Sequence, residues 1–132
     1  MEIKYIEIPK ITDERGSLNF MEAGNQIPFD IKRVYYISDL KDYGQKRGEH
    51  AHLETEQVLF CIHGSVKIWF DDGKEKQIIE LSESNKGVCI PKMIWHWMEE
   101  FSDGCIILVI ASDVYKESDY IRNYENFLDI NK

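Results

Sequence analysis

Along most of the chain, apolar and polar positions alternate with a period of two, the pattern of strands with one face buried. Residues 3–8 are apolar on both faces around Lys4 and Glu7, which suits an edge strand or one exchanged with a second copy. Residues 31–38, 57–62 and 65–70 are dense in β-branched and aromatic side chains, and His63-Gly64 suits a tight turn between the last two. Asp71-Asp72-Gly73-Lys74 is a hairpin sequence that leads into a strand over 75–81. Further strands fit 87–90, 94–99 and 105–111, with Ser102-Asp103-Gly104 as the turn before the last. Near the C-terminus the period changes. Ile121, Tyr124, Phe127 and Leu128 recur at helical spacing behind Ser118, a residue type that caps helices. Eight or more short strands followed by one short C-terminal helix predict an all-β antiparallel sandwich or barrel. No linker, repeat or low-complexity stretch interrupts the pattern, so residues 1–132 are expected to form one domain.

Charge narrows the partners. Against 24 acidic residues stand 16 Lys and Arg, a net charge of −8, which opposes nucleic acid and anionic membrane surfaces. An anionic small molecule can bind only where a few arginines converge against that field. No window holds 18 uninterrupted apolar residues, and the N-terminus lacks the apolar core of a signal peptide, so a cytoplasmic protein without a membrane span is expected. Cys61, Cys89 and Cys105 are odd in number, lie in apolar runs and form no CxxC, which predicts buried reduced thiols.

The chemistry concentrates in Arg47-Gly48-Glu49-His50-Ala51-His52. Residues two apart in a strand share a face, so His50 and His52 lie side by side and Ala51 faces away. Two adjacent imidazoles can bind a metal or act as paired acid/base groups near neutral pH. A bare His-x-His is as readily a surface pair, and the surrounding pattern decides. Gly, His-x-His, Gln57 and Gly64 resemble the first motif of the cupin superfamily; Gly87, Pro91 and His96 resemble the second, with Met93 where Gly is usual. The resemblance implies a jelly-roll fold and places His50, His52, Gln57 and His96 at the positions that carry metal in metal-dependent cupins. Gln57 replaces the usual Glu, which removes the one anionic ligand and favours a metal-free site. Three imidazoles alone can still hold zinc.

A narrower resemblance spans essentially the whole chain. It rests on Asp13-Glu14-Arg15-Gly16-Ser17-Leu18, Ile27-Pro28-Phe29, Ile31-Lys32-Arg33-Val34-Tyr35-Tyr36-Ile37, the Arg47–His52 motif with Gln57-Val58-Leu59, and Trp95-His96. Leu108–Asp113 and Asp119-Tyr120-Ile121-Arg122-Asn123-Tyr124 complete it. Together they resemble the dTDP-4-keto-6-deoxy-glucose 3,4-ketoisomerases, nucleotide-sugar cupins on routes to 3-amino-3,6-dideoxyhexoses of bacterial surface glycans such as lipopolysaccharide and S-layer glycans. The resemblance implies an isomerase without a cofactor, acting on a dTDP-linked keto sugar. Its first-choice assignment has His52 working on carbon and His50 on the oxygens, with the reverse open. It also implies Arg15, Tyr35, Arg47, Gln57 and His96 as substrate-binding residues and a homodimer with exchanged N-terminal strands. Any single arginine is otherwise read as a solvated ion pair. Arg33 is in phase with Tyr35 and would pair with an internal acid, while Glu49 either tunes the imidazoles or faces solvent. An Arg15/His96 pair resembles the members that give a galacto-configured product. Trp69, Trp95, Trp97, Phe60 and Phe70 read as core or interface. The rival readings are a dTDP-sugar 3,5-epimerase, whose His–Asp pair finds no matching spacing here, and a metal-dependent cupin.

Overall fold

The computed structural model describes residues 1–132. Its strands are β1 (Tyr5–Glu7), β2 (Lys10–Asp13), β3 (Gly16–Asn19), β4 (Arg33–Ile37), β5 (Arg47–His52) and β6 (Gln57–His63). They continue with β7 (Val66–Asp71), β8 (Lys76–Leu81), β9 (Lys86–Ile90), β10 (Trp95–Glu99), β11 (Ile106–Ala111) and β12 (Tyr120–Ile121). A 3-10 turn, Glu117–Asp119, precedes β12, and α1 (Tyr124–Ile130) ends the chain. One antiparallel sheet has the order β1-β9-β6-β11-β4 and the other β12-β5-β10-β7-β8. They face each other as the jelly-roll sandwich that the motifs imply.

Alternation builds the core. β7 turns Val66, Ile68 and Phe70 inward and β11 turns Ile107 and Val109 to meet them, within a cluster of 14 buried residues. Each large apolar side chain buried there contributes roughly 1.5–3 kcal/mol. β6 is buried on both faces because its outward residues, Val58 and Phe60, are covered by Ile8, Ile27 and Phe29. Gly87 is fixed by the same packing: a Cβ there would sit 2.6 Å from Phe60 Cε1 and 2.8 Å from the Leu59 carbonyl oxygen. Cys61 and Cys105 are buried free thiols with sulfurs 3.6 Å apart, and Cys89 is half-buried. No helix is long and apolar enough to cross a membrane.

The C-terminus departs from the expected helix. Ser118 caps nothing; Tyr120 and Ile121 pair with His52 and Ala51 as β12, and helix begins only at Tyr124 behind Asn123, whose side chain accepts from the Asn126 amide. Hydrogen bonding to the open edge of β5 outweighs the helical spacing. Ile121 and Phe127 then cover Ala51 and Trp95 on the outer face. Trp69 and Trp97 stack on that face, centroids 5.5 Å apart, away from the sandwich interior. The β2–β3 hairpin pairs with no other strand, and all of its residues are exposed.

Candidate active site

One end of the sandwich opens into a cleft of about 320 Å³ between the two sheets. Leu59, Val109 and Met98 line its apolar part. β5 supplies His50 to its wall and buries His52 behind it, and β10 places His96 directly opposite His50. After His52 the chain turns away, and the Met93 amide donates to the His52 carbonyl at 2.7 Å. That contact is made with Met93 at φ 60, the left-handed conformation that explains why the motif usually has glycine there.

Strict alternation would point Arg47 away from the histidines, since it lies three residues before His50. The structure resolves this with a bulge. Register shifts between His96↔His50 and Met98↔Arg47, and Gly48 takes up the extra residue at φ 78. Arg47 thereby shares the inward side of Met98 and reaches the cleft, where a glycine-based bulge commonly re-aims a side chain.

Three imidazoles crowd this pocket. The His50 ring lies 5.0 Å from His52, 4.8 Å from His96 and 5.0 Å from Tyr120. Burial, reinforced by the neighbouring imidazoles and Arg122, drives His50 down to about 2. Burial likewise brings His96 down to about 4, against a hydrogen bond to the Ile94 carbonyl that raises it. His52 is also lowered by burial, but Asp119 opposes the shift. These shifts favour the neutral form of all three rings, and only His52 has an acid beside it that opposes the shift.

Asp119 is the residue that sequence reasoning missed. Its Oδ2 lies 2.9 Å from His52 Nδ1 and accepts from the Thr55 hydroxyl at 2.6 Å, and its Oδ1 accepts from the Glu54 amide at 2.7 Å. Burial pushes its carboxyl up, but these three donors outweigh it and hold the group below the usual range. His52 and Asp119 thus form a buried pair across 67 residues of separation. Asp119 and Arg122 both belong to the 119–124 segment quoted for the resemblance, the only signal that could have marked them. Arg122 lines the cleft, lies over the Tyr120 ring at 4.3 Å and is paired with Glu117.

Of the residues singled out from sequence, His50, Tyr35, Arg47, Gln57 and His96 line the cleft, and His52, fully buried, lies behind them against His50 and His96. Gln57 Nε2 donates to the Tyr35 hydroxyl at 3.0 Å, and burial raises the Tyr35 pKa despite that bond. Arg15 does not join them. It sits at the tip of the β2–β3 hairpin, 85% exposed and paired with Asp13, because that hairpin packs on nothing in its own chain. Arg33 finds no internal acid; its Nε is buried without a partner and the guanidinium lies over the Tyr35 and Tyr115 rings. Glu49 is exposed at the rim.

The three histidines are the group that could meet a divalent ion, their nitrogens lying within 4.8 Å of one another. Tetrahedral zinc at the usual bond lengths needs nitrogens about 3.4 Å apart, and closed sites commonly include an anionic ligand. Gln57 supplies none.

The family profile described as FdtA: WxcM-like, C-terminal matches residues 1–132. A TDP-4-oxo-6-deoxy-alpha-D-glucose-3,4-oxoisomerase of Aneurinibacillus thermoaerophilus is 49% identical over 127 residues, which cover 96% of this chain and 91% of that one. A 3,4-ketoisomerase from Helicobacter canadensis superposes with a TM-score of 0.95 at 44% identity, covering 99% of this chain and 98% of that chain. QdtA, a 3,4-ketoisomerase from Thermoanaerobacterium thermosaccharolyticum, superposes at 0.93 with 42% identity over 98% and 93% of the two chains. That QdtA structure is of a histidine-to-asparagine mutant in complex with TDP-4-keto-6-deoxyglucose.

Proposed function

Because the chain belongs to the FdtA family (WxcM-like, C-terminal) and is a TDP-sugar 3,4-ketoisomerase, we propose that it converts TDP-4-keto-6-deoxyglucose to its 3-keto isomer through His50 and His52. The observation that carries the residue assignment is the pair of neutral imidazoles on one face of β5: half-buried His50 lines a cleft large enough for a sugar ring, and buried His52 packs directly behind it.

The C4 ketone acidifies the hydrogen on C3. One imidazole takes that proton while O4 gains one, which gives an enediol. A proton then goes to C4 and the O3 hydroxyl loses its own, leaving the carbonyl at C3. Hydrogens are only relocated, so no redox cofactor is required, and a pair of adjacent acid/base groups that pass protons between carbon and oxygen suffices. His52 Nε2 is buried without a hydrogen-bond partner, which supports it as the group that meets the carbon; His50 then serves the oxygens. Tyr35, held by Gln57, and His96 fix the ring.

Arg47 and Arg122 at the cleft supply the positive charge that a diphosphate needs against a net charge of −8. The exposed hairpin, with Ile11 and Leu18 each 59% accessible, supports a homodimer that exchanges N-terminal strands and brings Arg15 to the second copy's site. An Arg15/His96 pair then favours the galacto-configured 3-keto sugar, a precursor of 3-amino-3,6-dideoxygalactose for a surface glycan. The place of action is the cytoplasm. Carbon-13 NMR of substrate incubated with the protein tests the reading. The carbonyl resonance is expected to move from C4 to C3, and after reduction or transamination a small H4–H5 coupling identifies the galacto product. Unchanged substrate or a C5-inverted sugar would overturn the assignment, and a large trans-diaxial coupling would overturn the stereochemistry alone.

A further inference from the structure

We infer that Asp119, braced by Thr55, is a positioning residue for catalysis: it holds His52 in the one tautomer and orientation that presents a basic Nε2 to the sugar. This rests on the proposal that His52 handles a proton of the substrate.

The geometry assigns the direction of every hydrogen bond. Asp119 Oδ2 accepts from the Thr55 hydroxyl at 2.6 Å and lies 2.9 Å from His52 Nδ1; a carboxylate that already takes the Thr55 proton can only accept from the imidazole. The proton of neutral His52 therefore sits on Nδ1. Its other nitrogen, Nε2, carries the lone pair and is buried without any partner. A buried polar atom left unpaired is destabilising unless something else meets it. Here the neighbours are His50 and His96, whose nitrogens lie within 4.8 Å and which line the cleft, so a substrate proton would reach Nε2 from that side.

The bracing is built into the fold rather than added at the surface. The Glu54 amide donates to Oδ1 at 2.7 Å, and the Leu53 amide donates to the Asp119 backbone carbonyl at 2.9 Å. Three consecutive residues after His52 thus grip Asp119, and Tyr120 pairs with His52 itself in the β5–β12 ladder. The imidazole and its carboxylate are held at both backbone and side chain, so their alignment does not depend on a flexible rotamer. His50 has no such acid and lies among His52, His96 and Tyr120. The two histidines of the motif are chemically unlike, although a His-x-His sequence presents them as equals. When His52 gains the substrate's proton, the adjacent carboxylate stabilises the imidazolium, a gain that no other group in the cleft provides at hydrogen-bond distance.

Nitrogen-15 NMR of the histidine side chains in the wild-type protein tests the tautomer directly. His52 is expected to show a protonated Nδ1 and an unprotonated Nε2; the opposite tautomer would overturn the inference whatever any variant does. In Asp119→Asn, the single tautomer is expected to be lost and kcat to fall on the order of tenfold or more, with KM for TDP-4-keto-6-deoxyglucose within about twofold. Thr55→Val, which removes one brace and keeps the carboxylate, should give a smaller fall of the same kind and serves if Asp119→Asn does not fold. Unchanged kcat in both folded variants, with His52→Asn inactive, would refute the positioning role and leave the function of His52 standing. An active His52→Asn protein would instead remove the reading on which the inference rests.

Discussion

Mild acidification should destabilise this protein through its active site. His50 and His96 titrate near 6.5 in an unfolded chain, but burial holds them at about 2 and about 4 in the cleft. A histidine depressed in this way binds its proton more tightly in the unfolded chain. Its contribution is therefore complete above pH 6.5 and is lost as the pH falls toward the folded value. Between about pH 6.5 and pH 5 the unfolded histidine gains its proton while the folded one stays neutral. At about 1.36 kcal/mol per pH unit, that window of about 1.5 units is worth about 2 kcal/mol for each residue and about 4 kcal/mol for the pair. The depression of His52 acts in the same direction. The carboxylates do not confuse this window, because Asp119 and the other depressed acids lose their contribution only at lower pH. Against a total stability of roughly 5–15 kcal/mol for such a domain, the loss is large. Urea unfolding at about pH 7.5 and about pH 5 measures it, and His96→Gln should reduce the difference by about 2 kcal/mol. A difference below about 1 kcal/mol, or one that His96→Gln leaves intact, would show that the imidazoles are not desolvated as the cleft geometry requires.

Other expectations can be checked on the same protein. His50→Asn and His52→Asn should each lower turnover roughly 100-fold or more, as loss of a general acid or base does, and near-wild-type rates in both would refute the assignment. Since Gln57 offers no anionic ligand, full activity should survive exhaustive EDTA treatment; activity lost and then restored by zinc or iron would contradict a metal-free site. Gly48→Ala has room for its Cβ, with Met98 Cε at 3.6 Å, so its effect should come from the left-handed backbone, about 1–2 kcal/mol of stability. It should also raise KM as Arg47→Ala does, because the bulge aims Arg47 inward; an unchanged KM for both would show that Arg47 does not contact the nucleotide.

Most strands of the two sheets were legible because they bury one face and so repeat with period two, while β6, buried on both faces, showed as a run of β-branched and aromatic residues; the His50/His52 pair followed from the period-two rule. Where that rule is broken locally, sequence reading failed for identifiable reasons. At Gly48 an extra residue inverts the side-chain alternation, so the inward aim of Arg47 depends on a bulge rather than on spacing. Tyr120 and Ile121 are compatible with a helix, and only the free edge of β5, a tertiary feature, draws them into a strand. Asp119 lies in the 119–124 motif, but nothing local connects it to a histidine 67 residues away. The β2–β3 hairpin carries apolar residues that face no core of their own chain, so it gives no burial pattern to read.

The central claim is that this cleft moves protons between C3 and C4 of a TDP-linked keto sugar. Proton NMR of TDP-4-keto-6-deoxyglucose turned over in heavy water tests it most directly. Deuterium should appear at C3 of recovered substrate or C4 of the 3-keto product, with C5 retaining its hydrogen. Deuterium at C5, the mark of epimerisation, or a substrate that stays unlabelled and unconverted would contradict the account.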